Sequence, residues 1–351
     1  MHNNNGDFMR EIDLSKYKIR TDLVADLVQD KSDLEEKYDY DSCMVSRITL
    51  DDKTSSNLGR KKGDYTTLYF DDITDTTNYN NILKVLSSEL KEMFNKTNIS
   101  DSFSCMIIGL GNEKSTADAL GVLSAEKIIV TRHIYEITGT LEEGFRITTS
   151  FSPGVMGTTG IETSDIISAL LEKAEPDFII VIDALASDSI DRLLRTIQIT
   201  NTGINPGSGI GNNRKEISSD IYNIPVIAIG VPTVVDATTI VSDTINYMKK
   251  HFSYNIKNKD SSYLKLVPST KINYLKDNNY KLSKEETNYF LGAFGNLSNE
   301  EKKLLINDVL TPIGYNLMVT TKEIDFVLEK LVNLISTAIN NTLHNISTKN
   351  I

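Results

Sequence analysis

The run of apolar residues from Phe178 to Ile182 constrains the fold most, because such a run ending on Asp183 is typical of a buried β-strand. A second β-type run follows from Thr196 to Thr200 and opens into a loop rich in Gly and Asn. In open α/β sheets, ligands bind outside the carboxyl ends of the strands, where loops hold polar groups. The sequence therefore predicts a site at Asp183 and at the loop that follows.

Strand and helix patterns alternate from Phe103 to Met248, which predicts a mainly parallel sheet covered by helices. The predicted strands are residues 42–50, 65–70, 103–110, 127–131, 145–149, 178–182, 196–200 and 226–231. The predicted helices are residues 78–95, 164–174, 237–248, 284–293, 299–310 and 324–338. We expect the first two strands to pair as a hairpin.

Both ends of this pattern are polar. Residues 1–40 carry only a weak helical pattern around Leu23 to Val28, and their composition favours a solvated arm. Residues 252–280 are rich in Asn and Lys and predict an irregular insertion, whereas residues 283–346 predict a helical C-terminal part. No linker divides the chain, so we expect one catalytic domain over residues 23–351.

The composition excludes several classes of protein. With 351 residues, of which 40% are hydrophobic and 24% charged, the chain is long enough for a large core. Its net charge of -11 argues against a dedicated nucleic-acid binder. Cys43 and Cys105 lie in apolar contexts and predict core thiols in a reducing compartment. No run approaches the ~18 apolar residues of a membrane span, so we expect a cytosolic protein and no membrane partner.

Two carboxylates occur in the same local phrase. Asp118-Ala119-Leu120-Gly121 and Asp183-Ala184-Leu185-Ala186 are 65 residues apart, which is enough chain to return to the same edge of a sheet. Two facing carboxylates cannot both ionise easily, so one keeps its proton while the other acts as a base on water. The pair therefore suggests an aspartic dyad that hydrolyses peptides. The alternative is that Asp118 only caps a helix.

The loop from Asn201 to Asn213 carries four glycines and can present backbone N–H groups to a phosphate, an oxyanion or a peptide. It does not match a phosphate-binding loop, since Glu216 follows Lys215. The alternative is a simple series of turns.

The sequence gives only weak signals for other kinds of catalytic or binding site. Gly109-Leu110-Gly111 follows a strand, but Lys114 replaces the third glycine of a dinucleotide fingerprint. Pro206 stands where a nucleophile elbow at Ser208 needs glycine. The four histidines are scattered, without zinc-ligand spacing. We expect no metal and no cofactor.

Several long stretches of the sequence together resemble one known family. In chain order they are IRTDLV, MIIGLGN, TADALG, VTRHI, SPGVMGTTGIET, VIDALAS, TIQITNTGINPGSGIGNNRK, IPVIAIGVPTVVDATTI and PIGYNLMVT. With these phrases the chain resembles the germination proteases of endospore-forming bacteria, which degrade small acid-soluble spore proteins. The resemblance implies a three-layer α/β/α sandwich similar to hydrogenase-maturation proteases. It also implies a homotetramer in the cytoplasm of the spore core.

The resemblance further implies roles for particular residues. Asp118 and Asp183 match the catalytic pair of an atypical aspartic endopeptidase. Residues 1–22 match a propeptide that is removed by self-cleavage between Asp22 and Leu23, beside an acidic residue. We expect the loop at residues 153–163 and the glycine loop to line a substrate cleft, with contacts from Gly157, Thr158, Thr159, Asn205, Gly207, Ser208, Gly209 and Arg214.

The chain departs from the family pattern at four positions near these residues, which are Ala117, Val122, Asp188 and Asn213. None of these departures removes a predicted catalytic group, but together they could shift the electrostatics of the cleft. Two alternatives to the aspartic protease remain. One is a metal-assisted hydrolase of the maturation-protease type, and the other is an inactive relative that binds spore proteins.

Overall fold

A helix-covered β-sheet forms the larger of two units in the computed structural model, which describes residues 22–28, 34–207, 215–257, 281–310 and 317–344. In its described parts the larger unit holds residues 22–28, 34–187, 192–207, 215–235 and 320–344. The smaller unit holds residues 188–191, 236–257, 281–310 and 317–319. The expectation of a single catalytic domain stays a prediction.

The strands are β1 (Glu35–Tyr40), β2 (Cys43–Leu50), β3 (Gly63–Phe70), β4 (Cys105–Gly109), β5 (Thr148–Phe151), β6 (Phe178–Ser187), β7 (Thr196–Thr200), β8 (Val226–Asp236) and β9 (Met318–Val319). The helices are α1 (Val24–Leu27), α2 (Asp52–Leu58), α3 (Thr76–Lys96), α4 (Leu120–Glu126), α5 (Arg132–Thr138), α6 (Met156–Thr159), α7 (Thr163–Ala174), α8 (Ser219–Tyr222), α9 (Ala237–Lys257), α10 (Lys284–Gly295), α11 (Asn299–Leu310) and α12 (Ile324–Leu343). Two 3₁₀ turns cover Thr116–Asp118 and Ile190–Arg192.

The sheet of the larger unit has the strand order β1-β2-β3-β7-β8-β6-β4-β5. Strands β5, β4, β6 and β8 are parallel neighbours, which confirms the α/β sheet that the alternating pattern predicts. The remaining pairs are antiparallel, including the predicted hairpin partners β2 and β3. Only eight residues separate β6 from β7, too few for the crossover that parallel strands need, so β7 runs back in the opposite direction.

Helices cover both faces of this sheet because β6 is apolar on both. The Phe178 ring makes an edge-to-face contact with Phe94 of α3, with ring centroids 5.4 Å apart. On the opposite face, Ile179 and Val181 pack into a buried cluster with Ile167 of α7. Successive side chains of a strand point to opposite faces, so the long apolar run needs both layers. The predicted three-layer α/β/α arrangement is thereby confirmed.

The structure differs from the local predictions at several places. Strand β1 and helices α2, α5, α6 and α8 were not predicted, and residues 127–131 are not a strand. At that position the Asn340 side chain of α12 replaces a neighbouring strand. Its Oδ1 accepts the Ile129 N–H at 3.0 Å and its Nδ2 donates to the Lys127 carbonyl at 3.0 Å. A side-chain amide thus satisfies backbone groups that a sheet partner would otherwise take.

In the smaller unit, Asp188 is paired with a lysine. Its Oδ1 accepts hydrogen bonds from the Lys303 ammonium at 2.7 Å and from the Thr239 hydroxyl at 3.0 Å. Burial raises the pKa of the nearby Asp243 to about 6, although its contact with the Ile190 N–H and the charge of Lys303 act in the other direction. The acidic residue at 188 is therefore balanced by a cation in its own unit.

Residues 252–257 of the predicted irregular insertion continue helix α9, so the prediction is wrong for this part. Other expectations fall outside the described residues: the arm before Asp22, the rest of the insertion at residues 258–280, and residues 208–214 of the glycine loop. Both predicted core cysteines are buried, with free thiols. Within the described parts of the chain, no helix is long and apolar enough to cross a membrane.

The end of α12 is held by a fully buried histidine, His344. The Arg146 N–H donates to its Nδ1 at 3.2 Å, and its Nε2 lies 3.2 Å from the Ile129 carbonyl oxygen. These partners require the neutral imidazole, with the proton on Nε2. Burial lowers the pKa of His344, and the charge of Arg146 acts in the same direction.

We predict that stability is lost in acid because of His344. Its pKa is lower in the folded chain, so the unfolded chain binds more protons, and the free energy of unfolding falls as the pH drops below about 6.5. One such group contributes a slope of at most about 1.4 kcal/mol per pH unit. Urea unfolding between pH 7.5 and 5 should show a smaller slope for His344→Gln. The exposed His133→Gln is the control and should keep the wild-type slope. Equal slopes for all three chains would contradict this prediction.

Candidate active site

Asp183 lies in a row of residues that crosses three strands of the sheet. It pairs with Gly230 of β8, and Gly230 pairs with Gln198 of β7. Cross-strand partners point to the same face, so the Asp183 and Gln198 side chains share a face with no side chain between them. Asp183 is only 5% exposed, and its Oδ1 accepts the Ala184 N–H at 2.9 Å.

A pocket of about 330 Å³ opens on this face. Its floor is formed by alternate residues of β7 and β8, as expected where every second side chain faces the same way. The lining residues are Asp22, Val24, Gly59, Arg60, Lys61, Tyr65, Leu185, Gln198, Thr200, Thr202, Gly203, Ile204, Asn205, Glu216, Ala228 and Gly230. The pocket therefore lies directly beside the row that contains Asp183.

The charged side chains at the rim of the pocket form ion pairs with one another. The Lys61 ammonium forms ion pairs with Glu216 and with Asp220. Burial acts to lower the pKa of Lys61, but these two carboxylates outweigh it and the pKa is raised. Tyr65 donates its hydroxyl proton to the Lys61 carbonyl at 2.8 Å, and burial raises the pKa of this phenol. The polar groups at the rim are therefore already held in place by one another.

Asp118 ends the 3₁₀ turn beyond β4, where it is half-buried. Its carbonyl accepts the Asn112 N–H at 3.0 Å, and the carbonyl of Ala117 accepts the Thr233 hydroxyl at 2.6 Å. The Leu110 N–H donates to the Ile182 carbonyl at 2.9 Å, which joins the end of β4 to the residue before Asp183. Asp118 therefore lies beyond the end of β4, and its turn packs against β6. Asp183 lies within β6, which continues to Ser187, so the prediction that the strand ends at Asp183 is wrong.

The segment that begins at Asp22 lies against β6 and β7. The Asp22 N–H donates to the Ala186 carbonyl at 3.0 Å, and the Asp22 Oδ2 accepts the Ala186 N–H at 2.9 Å. The Val24 N–H donates to the Gln198 Oε1 at 2.9 Å. Leu23 is 0% exposed. The solvated arm that composition favours is therefore wrong for this described segment, which is held against β6 and β7.

Comparison with known proteins identifies the family. The protein-family model described as germination protease matches residues 19–351. This chain belongs to the germination protease family. Its relatives include the germination proteases of Bacillus thuringiensis subsp. konkukian (strain 97-27) and Bacillus cereus (strain ATCC 10987 / NRS 248). Each is 42% identical over 353 aligned positions, covering 95% of both chains. Family membership supports a peptidase role in spore germination.

Among solved structures, the chain is similar to the [NiFe] hydrogenase maturation protease HycI from Thermococcus kodakarensis KOD1. The match covers 41% of this chain and 80% of that one, with 17% sequence identity and a TM-score of 0.27.

The predicted cleft residues occupy different places. Asn205 lines the pocket. Gly157, Thr158 and Thr159 are exposed on α6, where both threonine hydroxyls donate to the Val155 carbonyl of their own loop. Gly207 is half-buried in a turn, whereas Ser208, Gly209 and Arg214 lie outside the described residues. The cleft assignment stays a prediction.

Sequence reasoning missed Gln198 and Ala186. Gln198 carried a usable signal, because an amide in a strand of Thr and Ile must find partners when it is buried. Ala186 carried none, since its contribution is its backbone N–H and carbonyl. No group of three or more His, Cys, Asp or Glu side chains that could hold a metal ion occurs in the described ranges.

We predict that Gly121→Ala destabilises the site. A Cβ at this position would overlap the carbonyl oxygens of Ile182 and Leu110, so α4 would have to move away from the end of β4 and from the residue before Asp183. Overpacking of this kind costs about 1–3 kcal/mol, which urea unfolding measures. Gly157→Ala is the matched control, since its Cβ meets nothing within 4 Å. A change below about 0.5 kcal/mol in Gly121→Ala would show that the close packing is not needed.

Proposed function

We propose that this chain is a self-processing endopeptidase that hydrolyses small acid-soluble spore proteins during germination, with Asp118 and Asp183 as its acid and base. The single observation that carries the proposal is the placement of the Asp22–Leu23 bond. Asp22 forms two hydrogen bonds with Ala186, three residues beyond Asp183 on the same strand. A peptide segment is thus held on the strand that carries a buried carboxylate.

The proposed reaction needs one proton shared between two carboxylates. Where two such groups interact, they titrate as a pair, and one stays protonated while the other is ionised. The ionised carboxylate removes a proton from the attacking water, and the protonated one donates a hydrogen bond to the carbonyl oxygen of the scissile bond. The tetrahedral intermediate then collapses as the leaving amine takes the proton that the basic carboxylate removed from water. Asp183, only 5% exposed, lies where little bulk water weakens these interactions.

The substrate side of the proposal rests on the bound segment. Leu23 has an extended backbone, with φ -82° and ψ 124°, and this conformation suits a peptide that pairs with backbone groups at a strand. We infer that a spore-protein substrate binds along β6 in the same way, with an acidic residue where Asp22 lies. The proposal includes the homotetramer and the spore-core location that the family resemblance implies.

Replacing either aspartate should stop self-cleavage. Asp118→Asn and Asp183→Asn keep the shape of the side chain and its acceptor oxygen, but they remove the carboxylate that proton transfer needs. Proton transfer by a positioned group contributes about 10²–10⁴-fold to the rate. Intact-mass measurement over time should show the wild-type chain losing residues 1–22 and both variants keeping them. Asp325→Asn, at an exposed position on α12, is the control and should be cleaved like the wild type.

These variants also distinguish loss of the catalytic carboxylate from loss of the folded structure. Thermal unfolding should show Asp183→Asn melting near the wild-type temperature, because its Oδ1 can still accept the Ala184 N–H. If either aspartate variant cleaves itself at the wild-type rate, the dyad is wrong.

A purified small acid-soluble spore protein should be cut beside acidic residues when it is incubated with the processed chain. Mass spectrometry of the products identifies each cut. An excess of chelator should leave the rate unchanged, because the proposed chemistry uses carboxylates and water alone. Loss of activity on chelation would favour a metal-assisted hydrolase. A spore protein that binds without fragmenting would favour an inactive binding protein.

A further inference from the structure

We propose that Gln198 is a catalytic residue that stabilises the negative charge on the carbonyl oxygen of the Asp22–Leu23 bond during self-cleavage. This inference rests on the proposed function, since it assigns a role at the same bond. It concerns a residue that neither the aspartate pair nor the glycine loop includes.

The hydrogen bonds of Gln198 span the bond to be cut. Its Oε1 accepts the Val24 N–H at 2.9 Å, and its Nε2 lies 3.5 Å from the Asp22 carbonyl oxygen. That oxygen belongs to the Asp22–Leu23 peptide bond. One side-chain amide therefore holds the residue after Leu23 and directs an N–H group at the carbonyl before it.

The hydrogen-bond partners of Gln198 also determine which side-chain atom is the oxygen and which is the nitrogen. The Val24 N–H can only donate, so it requires the oxygen of the amide. The Asp22 carbonyl can only accept, so the nitrogen must face it. The orientation therefore does not depend on an arbitrary choice between two nearly identical atoms.

The position of Gln198 in the sheet relates it to Asp183. Both are cross-strand partners of Gly230, which contributes no side chain to the row. Gln198 is 6% exposed and Asp183 is 5% exposed, so both groups act away from bulk water. A donor in such a position is worth more than the same donor in water, because no solvent competes for the developing charge.

The role follows from the electron balance of the attack. As the water oxygen bonds to the Asp22 carbonyl carbon, the π electrons move to the carbonyl oxygen, and the Nε2–H group donates to that anion. When the C–N bond breaks, its electron pair goes to the Leu23 nitrogen, which takes the proton that the basic carboxylate removed from the water, and the carbonyl re-forms. The separation of 3.5 Å is long for the ground state, as expected of a contact that strengthens only as charge develops.

Two substitutions separate this role from simple docking of the segment. Gln198→Glu keeps an acceptor for the Val24 N–H but replaces the donor, whereas Gln198→Met removes both. We expect self-cleavage of the full chain to slow by about 10²–10³-fold in both, the usual cost of losing one oxyanion donor. Hydrogen exchange of the Val24 amide should stay slow in Gln198→Glu and become fast in Gln198→Met.

The matched control is Thr196→Val on the same strand and face, two residues away. The Thr196 hydroxyl is buried and has no hydrogen-bond partner among the described residues, so this variant should cleave itself at the wild-type rate. A peptide of residues 16–28 supplied in trans gives a second measurement. With Gln198→Glu, kcat should fall while KM changes by less than about threefold, since binding is kept.

The outcomes distinguish the proposed role of Gln198 from the proposed self-cleavage by the aspartate dyad. If Gln198→Glu or Gln198→Met cleaves within about threefold of the wild type while Asp183→Asn is inactive, the role of Gln198 is wrong and the dyad stands. Fast exchange at Val24 in Gln198→Glu would also overturn the role, because the segment would have left the site. A wild-type chain that never cuts itself overturns both.

Discussion

The close approach of α4 to the end of β4 and to Ile182 of β6 is the contact on which the site depends. A Cβ on Gly121 would overlap the carbonyl oxygens of Ile182 and Leu110, and one on Gly109 would overlap the carbonyl of Gly121. Only glycine at both positions lets the helix begin directly against the strands. The 3₁₀ turn with Asp118 is therefore pressed against β6, the strand that carries Asp183.

The same sheet binds the peptide segment at the place where its strands change from parallel to antiparallel. Parallel β6 and β8 meet antiparallel β7, and Gly230 at this junction pairs with both Asp183 and Gln198. A buried carboxylate and a buried amide thereby come to share one face, although they belong to strands of opposite direction. Buried polar groups need partners, and the Val24 N–H and the Asp22 carbonyl supply those of Gln198.

Periodicity and apolar runs were sufficient to predict β6, its neighbours and the described helices of twelve residues or more, because these elements are stabilised by the burial of their own side chains. They failed where a distant group decides the structure. Residues 127–131 have the composition of a strand, yet Asn340 takes their backbone hydrogen bonds. Leu23 lies in a polar context, yet it is buried against strands more than 160 residues away. The aspartates could be named from their repeated phrase, whereas Gln198 needed the register of three strands.

The burial of Leu23 bears on what a cut at this bond would do. Before cleavage its nitrogen is part of an amide, and its side chain is 0% exposed. After cleavage that nitrogen would be an ammonium group, and a charge in a buried position costs several kcal/mol unless it is paired. The carboxylate released on Asp22 would add a second charge on the other side of the bond. The two new ends would therefore be driven toward water, so cleavage itself would weaken the contacts that hold the segment beside Asp183 and would open the pocket to a second peptide.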